Sequence, residues 1–598
     1  MDRNTLLFIV LTAAVLIGWD ALVLRPQREA FQEQLKIEQA AREAAEPDIT
    51  GGIAGESAGA TKSVSIEEAL AKAPGRVAID TPILQGSINL AGGRIDDLLL
   101  KNYRETLDPQ SPMIRLLTPR EAMHGHYIEQ GFVAASGAEA KLTESLVWSA
   151  PDGARLTAAN PVTLTARLGS LVFEKTYSVD DQFMFTVKQT VRNEGEAPAS
   201  VTPYGLVVQR GIPDGAGKYM ILQEGPLAVI GKQLLQRKYK NAVKRPDAAE
   251  GVEGWVGITN KYWLAAAIPP QDETFKVTFR NVGDQAAPIF RANYALAERP
   301  VAPGGSIELT SRLFGGAKDV DILRGYEAPV EKGGLGVWDL DRAVDWGNFS
   351  FLTRPLFWLL DFFGDHIGNW GVAILLLTLV VKALLFPLAN KAFESMSAMK
   401  KVQPKLEELK ARCGDDKAKL QQEMMALYQK EKINPLAGCL PILIQMPIFY
   451  ALYKTLFVTI ELRHEPFALW IRDLSAPDPT NIFNLFGLLP FDPATTPVMN
   501  IIPAIGVLPI LYGVAMWLQT KMNPPAADPT QQQIMNFLPF MFVFLFASFP
   551  AGLVLYWFWS SVLSMAQQYV IMKRNGVEVA WTDTLPFLRG KKPALEKK

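Results

Sequence analysis

Long apolar runs in this 598-residue chain are confined to its extreme N-terminus and to the region beyond residue 350. The first runs from Thr5 to Gly18 and continues through Trp19 and Ala21-Leu22-Val23-Leu24. Its ~20 residues are enough to cross about 30 Å of hydrocarbon. No small-x-small cleavage site follows, and Asp2 offsets Arg3, so residues 1–25 read as an uncleaved transmembrane anchor rather than a signal peptide. Further apolar runs predict spans at Asn369–Leu388, Pro435–Ile460, Asn500–Gln519, Ile534–Phe549 and Gly552–Met572. The last two are separated by Phe549-Pro550-Ala551-Gly552, because proline and glycine mark a reversal and the combined run is too long for one crossing. Six spans result.

Between the anchor and residue 350 the pattern is that of a soluble domain. Residues 26–75 combine a charged, helix-prone stretch with the small residues of Gly51–Ala60, which predicts a flexible tether. From 76 to 330 the period becomes two. Thr163–Leu168, Phe173–Tyr177 and Phe183–Val187 alternate around an Asp180-Asp181 turn, so half-buried antiparallel strands in a large all-β sandwich are expected. His124 and His126 are the one chemical-looking pair there. With no Cys, Asp or Glu at ligand spacing they read as loop residues.

Residues 336–368 are rich in aromatics (Trp346, Phe349, Phe351, Trp358, Phe362, Phe363) among Arg354, Asp361 and Asp365. Such a stretch before a span predicts an amphipathic helix at the outer interface; a buried helix of the soluble domain is the alternative. Residues 389–434 predict a helical hairpin. Its arms are Ala389–Arg412 and Lys417–Glu431, with Gly414-Asp415-Asp416 as turn and N-cap. Met396, Met399, Met424 and Met425 offer an adaptable apolar surface for varied partners, or pack the two arms together.

Charge orients these elements. The segment 389–434 carries ten Lys and Arg and the tail after Met572 carries seven, whereas 461–499 carries only Arg463 and Arg472. The first two segments are therefore expected in the cytoplasm, with both termini, and residues 25–350 outside. A net charge of −1 gives no basis for nucleic-acid recognition. The only cysteines are Cys413 and Cys439, so the extracytoplasmic domain holds no disulfide.

Lys382 is the one ionisable residue well inside the second span, where a charge costs roughly 2.5–3.5 kcal/mol on insertion scales. Snorkelling is one explanation, since Leu388 is six residues, about 9 Å, away along a helix. The other is a wet internal groove. Thr378 shares its face at i−4, and Tyr556, Ser560, Ser564 and Gln567 form a polar stripe at helical spacing on the last span, with Gln445 a further polar contributor. The predicted spans two to six contain no Asp or Glu, so no acidic proton relay is present.

Several stretches carry a specific resemblance: Gly364–Leu388 with Asn369-Trp370-Gly371, Gly414–Lys417 through Gln422–Tyr428, Asn434–Cys439, Leu443–Phe449, Pro466–Trp470 and Pro550–Tyr556. On them the chain resembles the YidC family of membrane insertases over nearly its whole length. The resemblance implies a multidomain protein of the bacterial inner membrane, non-enzymatic and without cofactor, with a periplasmic all-β super-sandwich domain. It also implies five core helices around a positively charged, cytoplasm-open groove that takes up nascent membrane proteins. Cooperation with the Sec translocon, the signal-recognition pathway, the ribosome and the lipid bilayer is implied as well. Lys382 stands where the family usually has arginine, which keeps charge but loses bidentate pairing. A transporter or channel would predict paired intramembrane charges or broken repeated helices. A membrane-anchored carbohydrate-active enzyme would rest on the sandwich alone.

Overall fold

The computed structural model describes residues 63–136, 139–143, 146–217, 222–242, 247–283, 287–414, 416–431, 440–489, 504–523 and 529–577. The expected anchor and most of the tether lie outside these. The described chain divides into two compact units, residues up to Asp345 and residues from Trp346.

The first unit is all-β in its core, as the two-residue period predicts. An eight-stranded sheet runs, edge to edge, Gln233–Gln236, Gly225–Ile230, Gly254–Thr259, Trp263–Ile268, Ser306–Ala317, Met184–Asn193, Leu171–Val179 and Val162–Leu168. A twelve-stranded sheet has as its main path Asp247–Gly251, Phe275–Asn281, Ile289–Leu296, Ala199–Arg210, His126–Ser136, Arg94–Arg104, Leu84–Asn89, Arg76–Asp80 and Arg155–Leu156. Strict alternation along Leu171–Val179 puts Phe173, Lys175 and Tyr177 inside, and Asp180 makes the predicted turn by accepting the amides of Gln182 and Met184, both at 3.0 Å. The sheets stack face to face, with Phe132 of one and Phe173 of the other 5.9 Å apart. His126 is buried with Nδ1 2.8 Å from the Val208 carbonyl oxygen, and burial pulls its pKa down to about 4. His124 lies 3.8 Å from Asp214, and neither histidine joins a ligating cluster among the described residues.

Lys175 is the anomaly of this core. It is fully buried, donates to the Gly92 carbonyl at 3.2 Å and rests 4.4 Å from the Trp148 ring centre. Glu129, the acid nearest in effect, already accepts the Tyr204 hydroxyl.

The second unit is helical. We number its helices α1 (Ser350–Ile367), α2 (Trp370–Cys413), α3 (Lys417–Lys430), α4 (Leu440–Val458), α5 (Val507–Met522), α6 (Pro529–Phe546) and α7 (Ala551–Arg574). The expected 336–368 helix is shorter than predicted: residues 340–343 form a single 3-10 turn before α1 starts. α1 is two-faced. Phe357, Leu360 and Gly364 are buried, while Phe351 and Trp358 are 70% and 61% exposed. It packs on α2 and α4, so the alternative of a helix belonging to the β unit fails.

The largest departure from expectation is α2. The predicted second span and first hairpin arm are one continuous helix of 44 residues, about 66 Å long at 1.5 Å per residue. Pro387 and Pro404 lie inside it without ending it. The hairpin turn is as predicted: Gly414 has φ +55° and the Asp416 carboxylate caps α3 through the Lys419 amide. Asp415 lies outside the described residues. α5 starts later than the predicted span, and α6 ends three residues before Phe549.

A loop at one end of the bundle satisfies the helix starts. Asp478 and Thr480 accept the Leu508 and Val507 amides of α5 at 2.7 and 2.9 Å. The Leu474 and Ala476 carbonyls take the Gly552 and Ala551 amides of α7 at 2.8 and 2.7 Å. Groups that a helix leaves orphaned are thus paired before the chain enters the bundle. Ala373, Ile374, Leu377, Leu452, Leu456, Phe546, Val554 and Trp557 form the core. Leu384, Ile534, Phe537, Phe540 and Phe544 point outward, and so large an apolar exterior suits lipid as its solvent. Among the described residues α2 is long and apolar enough to cross a membrane, and 446–458 and 532–546 are shorter apolar helical stretches.

Burial pulls the Lys175 pKa from 10.5 to about 8. Below pH 8 both folded and unfolded chains hold the proton; between about 8 and 10.5 only the unfolded chain does. Stability from this group therefore rises with pH across that window, by up to roughly 3 kcal/mol. Denaturant unfolding of the detergent-solubilised chain, followed by tryptophan fluorescence at pH 7.5 and 10, should show a pH gain that Lys175→Met abolishes.

Candidate substrate groove

The polar residues of the apolar helices converge at one place. Lys382 reaches from α2 to α7, and its Nζ donates to Ser564 Oγ at 2.7 Å. Ser564 in turn donates to the Ser560 carbonyl one turn back at 2.8 Å, so the serine accepts the ammonium with its free lone pair. Thr378, buried one turn before Lys382, donates to the Ile374 carbonyl at 2.7 Å. Gln567 makes a longer contact across the same pair of helices, 3.4 Å to the Phe386 carbonyl.

Helical spacing explains the convergence. Residues 378 and 382 lie on one face of α2, and 556, 560, 564 and 567 on one face of α7. The two helices pack against each other, and the stripes meet at the Lys382–Ser564 contact. Tyr556 is buried in the hydrophobic core. Its neighbour Trp557 lies in the same core, stacked on Phe546 at 3.8 Å and Phe449 at 5.4 Å between ring centres. Gln445 belongs to α4, but its side chain is outside the described ones.

Lys454 and Gln568 are among the buried polar residues of the bundle that escaped the sequence reading. Lys454 is buried in α4, where a Cβ added at Gly347 would lie 3.4 Å from its Cε. The same rule that singled out Lys382, a charge inside an apolar run, would have found it. Gln568 is also buried and donates to Asn523 Oδ1 at 3.1 Å, tying α7 to the end of α5. It neighbours Gln567, and only the helix rotation, set by packing, decides which of the two faces inward.

In the hairpin, Lys405 and Glu431 pair at 2.6 Å and Arg412 and Glu423 at 2.7 Å, joining the two arms. Such exposed pairs are worth little each. Met396, Met399, Met424 and Met425 are all half-buried.

The short sequence motifs acquire physical roles. Asn369 caps α2 through the Val372 amide at 3.0 Å and donates to the Phe467 carbonyl at 2.9 Å. Gly371 lets the Phe467 ring approach so closely that a Cβ there would lie 2.1 Å from it. A Cβ at Gly364 would lie 2.9 Å from the Trp370 ring. Asn369-Trp370-Gly371 and Pro466–Trp470 are thus two halves of one joint.

Residues 76–359 match the family described as the YidC periplasmic domain, and residues 362–578 that described as 60Kd inner membrane protein. The chain belongs to the YidC family. A membrane protein insertase YidC from Rhizobium johnstonii is 46% identical, with 100% of this chain and 99% of the relative covered. One from Caulobacter vibrioides is 45% identical over 99% and 98%. Among solved structures, an active YidC insertase crystal structure with its first transmembrane domain resolved covers 83% of this chain at 19% identity and a TM-score of 0.36. The sequence-based assignment to this family therefore holds, and with it residence in the bacterial inner membrane.

The joint predicts that Gly371→Ala forces Phe467 away and lowers stability by about 1–3 kcal/mol. Gly325→Ala, in a helix with nothing within 4 Å of the added carbon, should be neutral or stabilising. Thermal unfolding midpoints of the two variants against the parent decide it.

Proposed function

We propose that this chain inserts membrane proteins into the bilayer, and that the face lined by Lys382, Thr378, Ser560 and Ser564 is where the polar part of a nascent chain is received. The observation that carries the reading is the Lys382–Ser564 contact: an ammonium held between two otherwise apolar helices at 2.7 Å by a neutral hydroxyl. A serine leaves the positive charge uncompensated, and the predicted spans offer no Asp or Glu to neutralise it. A charge kept unneutralised in low dielectric attracts acidic and polar segments and holds water near them. Acid-relay transport lacks its acid. The insertase names of the full-length relatives support the same reading.

The membrane arrangement follows as part of this proposal. Six spans place both termini and the hairpin in the cytoplasm, the β unit in the periplasm, and α1 along the outer interface with Phe351, Pro355, Trp358 and Phe362 toward lipid. The hairpin, with its four half-buried methionines, meets emerging chains; the Sec translocon, the signal-recognition pathway and the ribosome are the partners that deliver or share them. The β unit carries no catalytic role in this account, and the chain requires no cofactor.

Purified protein in liposomes should insert a small single-span substrate with an acidic translocated segment in the absence of other factors. Lys382→Arg should retain most of that activity and Lys382→Ala should lose about tenfold; equal activity of the alanine variant contradicts the groove. Deleting Ala398–Lys430 should abolish complementation while the protein still accumulates in the membrane. Cysteines near Gly211 and Asp478, but not near Lys592, should react with an impermeant reagent added from the periplasmic side.

A further inference from the structure

A cleft of about 380 Å³ lies where the distal part of α2 passes the C-terminal end of α7. Lys400, Lys401, Gln403 and Glu407 wall it on one side and Gly576 on the other. Its volume falls within the range of small-ligand sites, about 300–1,000 Å³. Gly576 has φ +65°, its amide donates to the Lys573 carbonyl at 3.1 Å and the Val577 amide donates to the Met572 carbonyl at 3.0 Å. This pair of bonds is a Schellman cap, so α7 stops at the level of the cleft, with Lys573 and Arg574 in its last turn.

The depth of the cleft follows from the helices that form it. At the opposite end of the bundle α2 and α7 meet where Gly552 faces Ile374, since a Cβ at Gly552 would lie 3.2 Å from Ile374 Cδ1. Lys400 lies 26 residues further along α2, about 39 Å, and Gly576 lies 24 residues further along α7, about 36 Å. With the usual helix tilt of about 20° both are about 34–37 Å from that end. Hydrocarbon is about 30 Å thick and the bilayer with its headgroups about 40–45 Å, so the cleft falls in the opposite headgroup layer. The end of α5 marks the same level independently. Lys400 Nζ reaches 3.4 Å from the Met522 carbonyl, and the preceding Lys521 lies 5.8 Å from the ring centre of Trp517, a residue type enriched at membrane interfaces.

Charge at this level is one-sided. Lys400, Lys401, Lys521, Lys573 and Arg574 carry five positive charges, whereas α5 and α7 contain no Asp or Glu. Glu407, the acid of the cleft wall, already accepts the Gln403 amide at 3.1 Å. Lys400 has three donors and spends one on the long Met522 contact; Lys401 is exposed and makes no ion pair among the described residues. Partial burial lowers the Lys400 pKa, a desolvation cost that a bound anion would offset.

We propose that this cleft binds the phosphate of an anionic phospholipid headgroup, with Lys400 and Lys401 as its ligands, so that one lipid joins the first hairpin arm to the ends of α5 and α7. Basic pockets between helices on the cytoplasmic side suit such headgroups, and lysine serves phosphate as a point charge. A nucleic-acid phosphate offers the same charge, but depth favours the lipid, whose phosphates already fill that layer. The proposal rests on the membrane arrangement given above and not on the Lys382 groove.

The full chain, purified in neutral detergent, can be titrated with short-chain phosphatidylglycerol or phosphatidylcholine, and the first bound lipid read by native mass spectrometry. Insertion is not assayed, so the outcome is independent of the groove. Roughly fivefold or greater preference for phosphatidylglycerol is expected. Lys400→Gln/Lys401→Gln should reduce it to about twofold or less, while Lys400→Arg/Lys401→Arg, which keeps the charge, should retain it. Lys419→Gln/Lys430→Gln, which removes as much charge from α3, should leave it unchanged. Full preference in the Lys400→Gln/Lys401→Gln variant overturns the proposal, and so does an equal loss in the α3 variant, which would make the preference an effect of net charge. Displacement of the first lipid by equimolar inorganic phosphate or by equimolar oligouridylate overturns it too, and assigns the cleft to a free anion or to nucleic acid.

Discussion

An ammonium group inside an apolar helix wall is the constraint around which the helical unit is organised. Lys382 cannot be left against hydrocarbon without a cost of about 2.5–3.5 kcal/mol, and α2 answers by pressing that residue against α7, where Ser564 accepts a hydrogen bond from its ammonium. The Lys382–Ser564 bond and the buried threonine at 378 give α2 and α7 a polar seam, while Leu384 and Val570 on the same helices are exposed and apolar. A carboxylate in place of the serine would hold the lysine more firmly and remove its field. The observed pairing does the opposite: it fixes the position of the charge and leaves its attraction available.

Around that seam the backbone is held by groups drawn from loops. The Asp478, Thr480, Leu474 and Ala476 contacts complete the first turns of α5 and α7, and Asn369 both caps α2 and holds the Phe467 carbonyl. The bundle is therefore stapled at one end by satisfied helix starts. At the other end α2 continues for about 25 residues past Leu388 into the hairpin, although Pro387 and Pro404 each leave one carbonyl of the preceding turn without its helical donor. The first hairpin arm and Lys382 therefore belong to one and the same helix.

Where a physical signal is local, the sequence carried it. The alternation in Leu171–Val179, the Asp180 turn, the Gly414–Asp416 turn and the Pro550 reversal all appear where predicted, because each depends on a few neighbouring residues. The polar stripe on α7 and its meeting with Lys382 were legible for the same reason, through the 3.6-residue period. What failed were boundaries set by long-range context. Hydropathy falls after Leu388, which invites a break, yet Ala389–Arg412 is helix-prone and Pro387 is accommodated within the helix. The inward turn of Gln568 rather than Gln567 depends on packing between helices, which no period along one helix can specify. Lys454 is different: its signal was present in the apolar run, and it was passed over.

The central claim is that the Lys382 seam is wet and opens toward the cytoplasm. Single cysteines at positions 378, 382 and 564, in a chain freed of Cys413 and Cys439, can be challenged with a membrane-impermeant maleimide in inverted inner-membrane vesicles, with a cysteine at lipid-facing Phe540 as reference. The account predicts labelling at 382 and 564 well above the reference, blocked by prior treatment from the same side. If all three positions stay as unreactive as 540, Lys382 is a headgroup anchor and the seam is dry.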